Sequence, residues 1–86
     1  MRIDKYLNSV NIVKRRAIAQ DMIENGVVKI GGVSVKASKE VKKGDVIEIC
    51  YLEKSKFYEV LQIPTQKTIK KEESHLYFRE TDSGKR

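Results

Sequence analysis

The stretch that decides the fold is residues 14–32, which read KRRAIAQDMIENGVVKIGG. Its apolar side chains recur at helical spacing and predict a helix over residues 14–25. Gly26 follows, and glycine readily adopts the left-handed backbone conformation that ends many helices. Four residues are expected to form the buried stripe of this helix: Ile18, Ala19, Met22 and Ile23. The stretch therefore begins as an amphipathic helix that packs one face on a core.

A β-hairpin follows this helix directly. Residues 27–30 predict a strand, and residues 33–36 predict its return strand. Gly31-Gly32 predicts the two-residue turn between them, because such turns need positive backbone φ angles. The change from helical to strand pattern at Gly26 indicates a mixed fold.

Upstream and downstream segments complete the predicted architecture. Residues 3–9 predict a short first helix that Asn11 ends, with Asp4 near the positive end of its dipole. Residues 46–51 and 57–63 predict two more strands. The fold class is therefore α+β, with two N-terminal helices packed on a small, mostly antiparallel sheet.

The C-terminal part of the chain is less regular. Residues 65–74 are polar and show no clear period, and residues 75–78 are an apolar cluster that we expect to pack back on the sheet. Residues 81–86 are expected to form a frayed tail.

Composition excludes several classes of protein. The chain has 86 residues, of which 40% are hydrophobic and 35% charged, as in a small soluble domain. No apolar run approaches the roughly 20 residues of a membrane span or the roughly 7 to 15 of a signal peptide. Cys50 and His75 are the only cysteine and histidine, so one chain cannot assemble a disulfide or a Cys/His zinc site. We expect a cytoplasmic protein without enzymatic activity, metal or cofactor, and without a membrane partner.

The charge of the chain is concentrated in its first half. The net charge is +6, and residues 1–44 carry ten basic and four acidic side chains. The remaining residues carry eight of each sign and are neutral overall. Such a cationic half predicts a polyanionic partner, with nucleic acid foremost. Because Tyr6 is the only aromatic residue of that half, we expect recognition of phosphates and of the shape of structured RNA, without stacking on bases.

Eight residues are the candidate RNA-binding set: Arg2, Lys5, Lys14, Arg15, Arg16, Lys36, Ser38 and Lys39. Three consecutive cations, at residues 14–16, are predicted in the first turn of the second helix, where they oppose the helix dipole and favour phosphate binding. The alternative is that they pair with nearby acids: Asp4, Asp21 or Glu24. Ser38 can either donate to a phosphate or cap its own loop.

A different class of function is also open. The working surface in that interpretation is the sheet, with Tyr51, Tyr58 and Tyr77, and the chain is a protein-interaction or regulatory module whose basic face serves solubility. A third alternative is an accessory subunit that recruits a separate enzyme to RNA. Salt distinguishes the first two, because phosphate binding weakens steeply as salt rises and an apolar interface responds little.

Four segments together resemble the S4 RNA-binding domain: RIDKYL at 2–7, KRRAIA at 14–19, IENGVVKIGG at 23–32 and KGDVI at 43–47. The family usually has Asn-Gly where Gly31-Gly32 stands, a departure that the turn tolerates. The resemblance implies an S4 motif over residues 1–51 of a single RNA-binding domain, residues 1–80.

The resemblance also implies a function. The family binds structured RNA through its two helices and the following loop, which implicates seven cations here: Arg2, Lys5, Lys14, Arg15, Arg16, Lys36 and Lys39. Short stand-alone bacterial members include factors of ribosome-associated quality control and the heat-shock protein fifteen. A chain similar to them is expected to bind large-subunit ribosomal RNA and stalled peptidyl-tRNA, and to be a monomer away from the ribosome.

Overall fold

Two short helices open the chain. In the computed structural model, which describes residues 1–65 and 69–81, α1 spans Ile3–Ser9 and α2 spans Arg16–Glu24. Asn11 ends α1 with a backbone φ of 70°, and Gly26 ends the α2 segment with a φ of 77°. Both breaks agree with the sequence-based prediction, since asparagine and glycine are the residues that most readily adopt this conformation.

A twisted antiparallel sheet follows the helices. Its strands within the described residues are β1 (Val28–Ile30), β2 (Val33–Ser34), β3 (Val46–Cys50), β4 (Ser55–Val60) and β5 (Phe78–Thr81). Their order is β2-β1-β3-β4-β5, and each neighbouring pair is antiparallel. Gly31 and Gly32 have φ angles of 64° and 81°, as the predicted tight turn requires. The α+β prediction is therefore confirmed.

The core lies between the helices and one face of the sheet. Four side chains of the α1 region have no exposed surface: Ile3, Tyr6, Leu7 and Val10. They pack against Ile47 and Ile49 of β3, which are equally buried and alternate with half-buried residues on the other face. This packing holds α1 rigidly against the sheet, so that its N-terminal end keeps a fixed position.

A C-terminal segment is anchored to the α1–α2 connection. The Asn11 side-chain amide donates to the Ile69 carbonyl at 2.5 Å and to the Ser74 hydroxyl at 2.8 Å. Ile69 is itself 1% exposed, and its N–H donates to the Ser9 carbonyl at 3.0 Å. Residues 69–76, which include a 3-10 helix at Lys71–Leu76, are thus tied to the helices. The polar segment predicted without clear period has its own short helix there.

The second helix begins two residues later than predicted. Its first residue is Arg16, and Arg15 before it is extended, with a φ of −131°. The Asn8 side-chain amide donates to the Lys14 carbonyl at 3.0 Å and holds that residue in the connection between the helices. The prediction that all three cations lie in the first helical turn is therefore wrong for Lys14 and Arg15.

The prediction of the buried stripe in α2 is also wrong for one residue. Ala19 and Ile23 are buried and Met22 is half-buried, but 45% of Ile18 is exposed. Successive residues of a helix point about 100° apart, so Ile18 cannot share the direction of Ala19. Ala19 and Ile23 form the centre of the buried face, and Ile18 lies at its edge.

β3 ends one residue earlier than predicted, and the bounds of β4 also differ from the prediction. This strand spans Ser55–Val60 instead of residues 57–63, because the Tyr51 N–H donates to the Lys54 carbonyl at 2.7 Å and closes the turn early. The strand ends where the N–H groups of Leu61 and Gln62 both turn to the Tyr77 carbonyl.

The end of the chain contains a strand that the sequence pattern did not predict. Phe78 and Thr81 bound β5, and Thr81 lies opposite Phe57 of β4, so Thr81 is not frayed. Tyr77 and Phe78 pack on the core as expected, whereas His75 and Leu76 are exposed. The other predicted tail positions, 82–86, lie outside the described residues, as do 66–68. None of the helices in the described part of the chain is long and apolar enough to cross a bilayer.

Candidate RNA-binding interface

A buried carboxylate joins the two helices. Asp4 lies in the first turn of α1, and none of its surface is exposed. Its oxygens accept from the Gln20 amide at 2.9 Å and from Nε of Arg16 at 3.3 Å, both on α2. Nε of Arg2, which precedes α1, lies 3.3 Å from the same carboxylate. Asp4 therefore holds side chains of two elements in one place.

The two arginines that contact Asp4 remain accessible. The Arg2 and Arg16 side chains are 49% and 44% exposed, although the carboxylate beneath them is fully buried. A guanidinium has five N–H donors in a planar fork, so contact through Nε leaves donors for an outside ligand. The pair thus presents oriented hydrogen-bond donors at the surface, which is the arrangement that phosphate binding uses.

The protonation state of Asp4 supports this arrangement. Burial raises the pKa of the carboxyl, but hydrogen bonds from Gln20, Arg16 and the Lys5 N–H together outweigh burial and hold the pKa below its ordinary value of 3.8. The group is therefore ionised at neutral pH, and its negative charge keeps both guanidinium groups in position.

The remaining cations of the α2 start are less constrained. Lys14 and Arg15 are exposed on the extended connection just before the helix. No ion pair joins either residue to another described residue, and neither Asp21 nor Glu24 pairs with the cluster. The pairing alternative is therefore realised only by Asp4, which contacts Arg16.

The basic loop after β2 is fixed beside the start of α1. The Ile3 N–H donates to the Lys39 carbonyl at 2.7 Å, and the Lys39 N–H donates to the Lys36 carbonyl at 2.9 Å. Lys36, Ser38 and Lys39 are exposed in this turn. Ser38 forms no hydrogen bond with another described residue, so no capping contact uses its hydroxyl.

The structure thus brings most of the predicted residues to one end of α1. Arg2, Arg16 and the loop at residues 36–39 all contact the first turn of that helix through side chain or backbone. Lys5 directly follows Asp4 in the first turn of the same helix and is half-buried. Glu40, the acid of the loop, is paired with the Met1 ammonium group at 2.5 Å, which lowers its pKa by hydrogen bonding and charge. This pairing limits the repulsion that Glu40 exerts on a polyanion.

Sequence reasoning missed Gln20 and the burial of Asp4. Asp4 was named as a partner of the helix dipole and, with Asp21 and Glu24, as an alternative partner of residues 14–16, but not as a buried group that joins the helices. A signal was present, because Asp4 precedes Leu7 by three residues and shares the buried face of α1 with Ile3 and Leu7. A buried acid needs a partner that satisfies its charge, and Arg2 and Lys5 lie close to Asp4 in the sequence.

The sheet offers less support for the alternative interaction surface. Tyr58 is 7% exposed and packs edge-on against Phe78, with ring centroids 5.5 Å apart. Burial, with the neighbouring Tyr51 and Glu80 charges, raises its pKa to about 12. Tyr77 is half-buried, and its carbonyl accepts from the buried Tyr6 hydroxyl. Of the three tyrosines proposed as a working surface, only Tyr51 is exposed.

Comparison with known proteins identifies the family. The S4 domain model matches residues 1–47, the segment that contains both helices, the first hairpin and the basic loop. The chain belongs to the S4 domain family. A Helicobacter pylori (strain J99) protein named RQC P-site tRNA stabilizing factor is 52% identical over 77 residues, which cover 90% of this chain and 92% of that protein.

Two solved structures share the whole architecture. The trimeric structure of Vibrio cholerae Heat Shock Protein 15 superposes with a TM-score of 0.85 at 30% identity, over 98% of this chain and 84% of that one. The solution structure of the hypothetical protein HP1423 gives a TM-score of 0.82 at 47% identity, over 96% and 99% of the two chains. The similarity therefore extends beyond the S4 motif to the C-terminal strands.

Proposed function

We propose that this protein is a non-enzymatic RNA-binding factor of the large ribosomal subunit. It binds ribosomal RNA and the tRNA of stalled peptidyl-tRNA complexes in ribosome-associated quality control. The observation that carries the proposal is the pair of half-exposed arginines, Arg2 and Arg16, held over the buried Asp4 carboxylate. The names of similar proteins, RQC P-site tRNA stabilizing factor, support the choice of tRNA as ligand.

The proposed mechanism is electrostatic clamping. Phosphates of one RNA bind the helix side of the site, where Arg2, Lys5, Lys14, Arg15 and Arg16 lie. The loop on the other side of the α1 start contacts a second RNA through Lys36, Ser38 and Lys39. Because one face of α1 is packed into the core, the helix holds the backbone of the two groups of cations side by side. A rigid cationic surface that spans two RNAs holds them together without chemistry.

The proposal has consequences for location and assembly. A factor that works on ribosomes acts in the cytoplasm, and one copy is sufficient to provide both groups of cations. We therefore propose a cytoplasmic monomer, in one domain over residues 1–80, that binds the ribosome when peptidyl-tRNA is present.

Sucrose-gradient sedimentation tests this function. The protein is expected to sediment with large subunits in preference to small subunits or free RNA, and more strongly when peptidyl-tRNA is retained. Puromycin, which releases nascent chains, should lower that occupancy. Equal occupancy with and without puromycin would remove peptidyl-tRNA from the mechanism, and absence from the large-subunit fraction would remove the ribosome.

A further inference from the structure

A groove runs beside the basic loop and has a chemical character that phosphate binding does not explain. Its volume is about 390 Å³, and Ile30, Val33 and Val35 form an apolar wall. The opposite rim consists of Lys36, Ser38 and Lys39. Two-thirds of Val33 is exposed, so the apolar wall is open to an external ligand. Cations bind phosphates, and an apolar wall of three β-branched side chains adds nothing to that binding.

The backbone around the groove is held in place. The Lys36–Lys39 turn is closed by its own 2.9 Å hydrogen bond and is tied to α1 through the Lys39 carbonyl. On the strand side, the Ser34 hydroxyl donates to the Gly26 carbonyl at 3.1 Å. These hydrogen bonds hold the backbone of wall and rim, so the ordering cost of ligand binding falls mainly on the exposed lysine side chains.

The charge of the groove selects its ligand. Both ionisable groups among the described residues that line it are cations, Lys36 and Lys39. A β-turn keeps its first and last Cα atoms within about 7 Å of each other. The two ammonium groups can therefore contact neighbouring phosphates of a single strand, while the apolar wall contacts the part of the nucleotide that joins those phosphates.

We propose that this groove binds the ribose edge of an RNA helix in its minor groove. The minor groove of an RNA helix is wide and shallow and displays 2′-hydroxyl groups. Val33 and Val35 would contact the C–H face of the sugar, and the free Ser38 hydroxyl would hydrogen-bond the 2′-hydroxyl. The inference rests on the proposed RNA-binding function and assigns this groove the discrimination of RNA from DNA.

The test compares binding to an RNA duplex and to a DNA duplex of the same sequence, each of roughly 16 base pairs. The full chain is expected to prefer RNA, and Ser38→Ala is expected to weaken RNA binding about fivefold while leaving DNA binding unchanged. Ser55→Ala is the matched control, because it removes the same kind of hydroxyl at the start of β4, at a position that does not line the groove. Its RNA preference should equal that of the wild type. Equal binding of the two duplexes by the wild type, or an equal effect of Ser38→Ala on both, would overturn the proposal.

A second variant separates the apolar contact from the charges. Val33→Thr keeps the shape and β-branching of the exposed residue, and should weaken RNA binding about twofold to fivefold without changing the salt dependence. Lys36→Ala should instead reduce the slope of log K against log salt by about 0.7 to 0.9. A Val33→Thr protein that binds RNA as tightly as the wild type would contradict the apolar contact.

Parallel measurements keep this proposal distinct from the proposed function. Arg15→Ala/Arg16→Ala should weaken binding to both duplexes and to large ribosomal subunits, whatever the groove binds. If that double variant loses binding and the groove variants do not, the groove proposal fails and the RNA-binding function stands. If Val33→Thr or Ser38→Ala alters binding to large subunits but not to the RNA duplex, the groove contacts a ribosomal protein and the proposal is wrong.

Discussion

Ion pairs in the N-terminal helices and in the β4–β5 strand pair differ in where the carboxylate lies. At the helices, the Asp4 carboxylate is fully buried, and Arg2 and Arg16 reach over it from outside. Removing a charge from water is costly, and here the cost is offset by hydrogen bonds from both helices. The surface above the pair is therefore cationic, although a negative charge lies beneath it.

In the strand pair neither carboxylate is fully buried. Glu59 pairs with Arg79 across the two strands, and Glu80 lies 3.9 Å from the Lys56 ammonium group. The Glu80 and Glu59 side chains are 53% and 22% exposed, against none for Asp4. Each cation there is paired with a carboxylate that itself reaches the surface, so less positive charge is left for a ligand.

The comparison shows that the position of a carboxylate affects the cationic surface more than the number of carboxylates does. An acid below a pair of arginines orients them, whereas an acid beside a cation neutralises it. The net charge of a protein therefore says little about which face binds a polyanion.

The largest effects are expected in the core that both regions share. Ile23→Ala in α2 and Ile47→Ala in β3 should each lower the free energy of unfolding by about 2 to 4 kcal/mol, because both side chains are buried. In a domain this small, that is a large fraction of the stability. Thermal unfolding followed by circular dichroism measures it. A midpoint within a couple of degrees of the wild type for either variant would show that the helices do not pack on the sheet as described.

The next effect concerns the helix cations directly. Arg15→Ala/Arg16→Ala should weaken binding to large ribosomal subunits at least tenfold, because it removes exposed charges and no core side chain. Arg2→Ala should act in the same direction, and each lost phosphate contact should reduce the salt slope by about 0.7 to 0.9. A folded double variant with unchanged affinity would remove the helix start from the RNA interface.

Its matched control comes from the strand pair. Lys56→Ala/Arg79→Ala removes the same number of charges, but both are paired with carboxylates. Its affinity should stay within about twofold of the wild type, since exposed pairs contribute little. If the two double variants lose affinity equally, the comparison between the regions is wrong.

The helices and the first hairpin were predictable because local chemistry determines them. Apolar periodicity locates α1, and the left-handed Asn11 and Gly26 mark where the helices break. The start of α2 was not predictable, because the Asn8 side chain that holds the Lys14 carbonyl acts from the previous helix. β5 was missed for the same reason, since its strand pattern is short and pairing with β4 defines it.

In the candidate site, too, local sequence predicted the residues but not the contacts between elements. The cations were identifiable from the sequence, and all eight candidate residues lie at or before the start of one of the two helices or in the basic loop. Their organisation was not identifiable, because the Asp4 contacts to Arg16 and Gln20 depend on how α2 is rotated against α1. Sequence reasoning therefore gave the charges of the site and not the group that orients them.

A smaller effect is expected when Asp4 itself is changed. Asp4→Asn keeps the size of the side chain and an oxygen for the Lys5 N–H, but removes the charge that positions the arginines. We expect a loss of about 1 kcal/mol in the free energy of unfolding at neutral pH. RNA affinity should fall about threefold, although the variant raises the net charge.

The pH dependence of that variant tests the cause. The folded-state pKa of Asp4 lies below the ordinary 3.8, so the carboxylate contributes stability above that pH and loses the contribution as the pH falls through its lowered value. The difference in the free energy of unfolding between wild type and Asp4→Asn, measured in urea, should therefore have its full size at pH 7 and become smaller in strong acid. A difference that does not change with pH would assign the loss to packing instead of charge.

The smallest expected effect tests whether the position of positive charge or its total amount determines RNA binding. Glu59→Gln/Glu80→Gln adds two units of positive charge to the strand pair by freeing Arg79 and Lys56. If total charge determined RNA binding, these two added charges should raise the affinity for large subunits at low salt. The loss of two charges in Arg15→Ala/Arg16→Ala should lower it. We expect a change of less than about twofold, because the freed cations lie on strands that the proposed interface does not include, and solvent screens them within about 10 Å at 0.1 M salt. Stability should also change by less than about 1 kcal/mol, as is usual for exposed pairs. A several-fold gain in affinity, measured by filter binding to large subunits at two salt concentrations, would mean that RNA also reaches the strand pair.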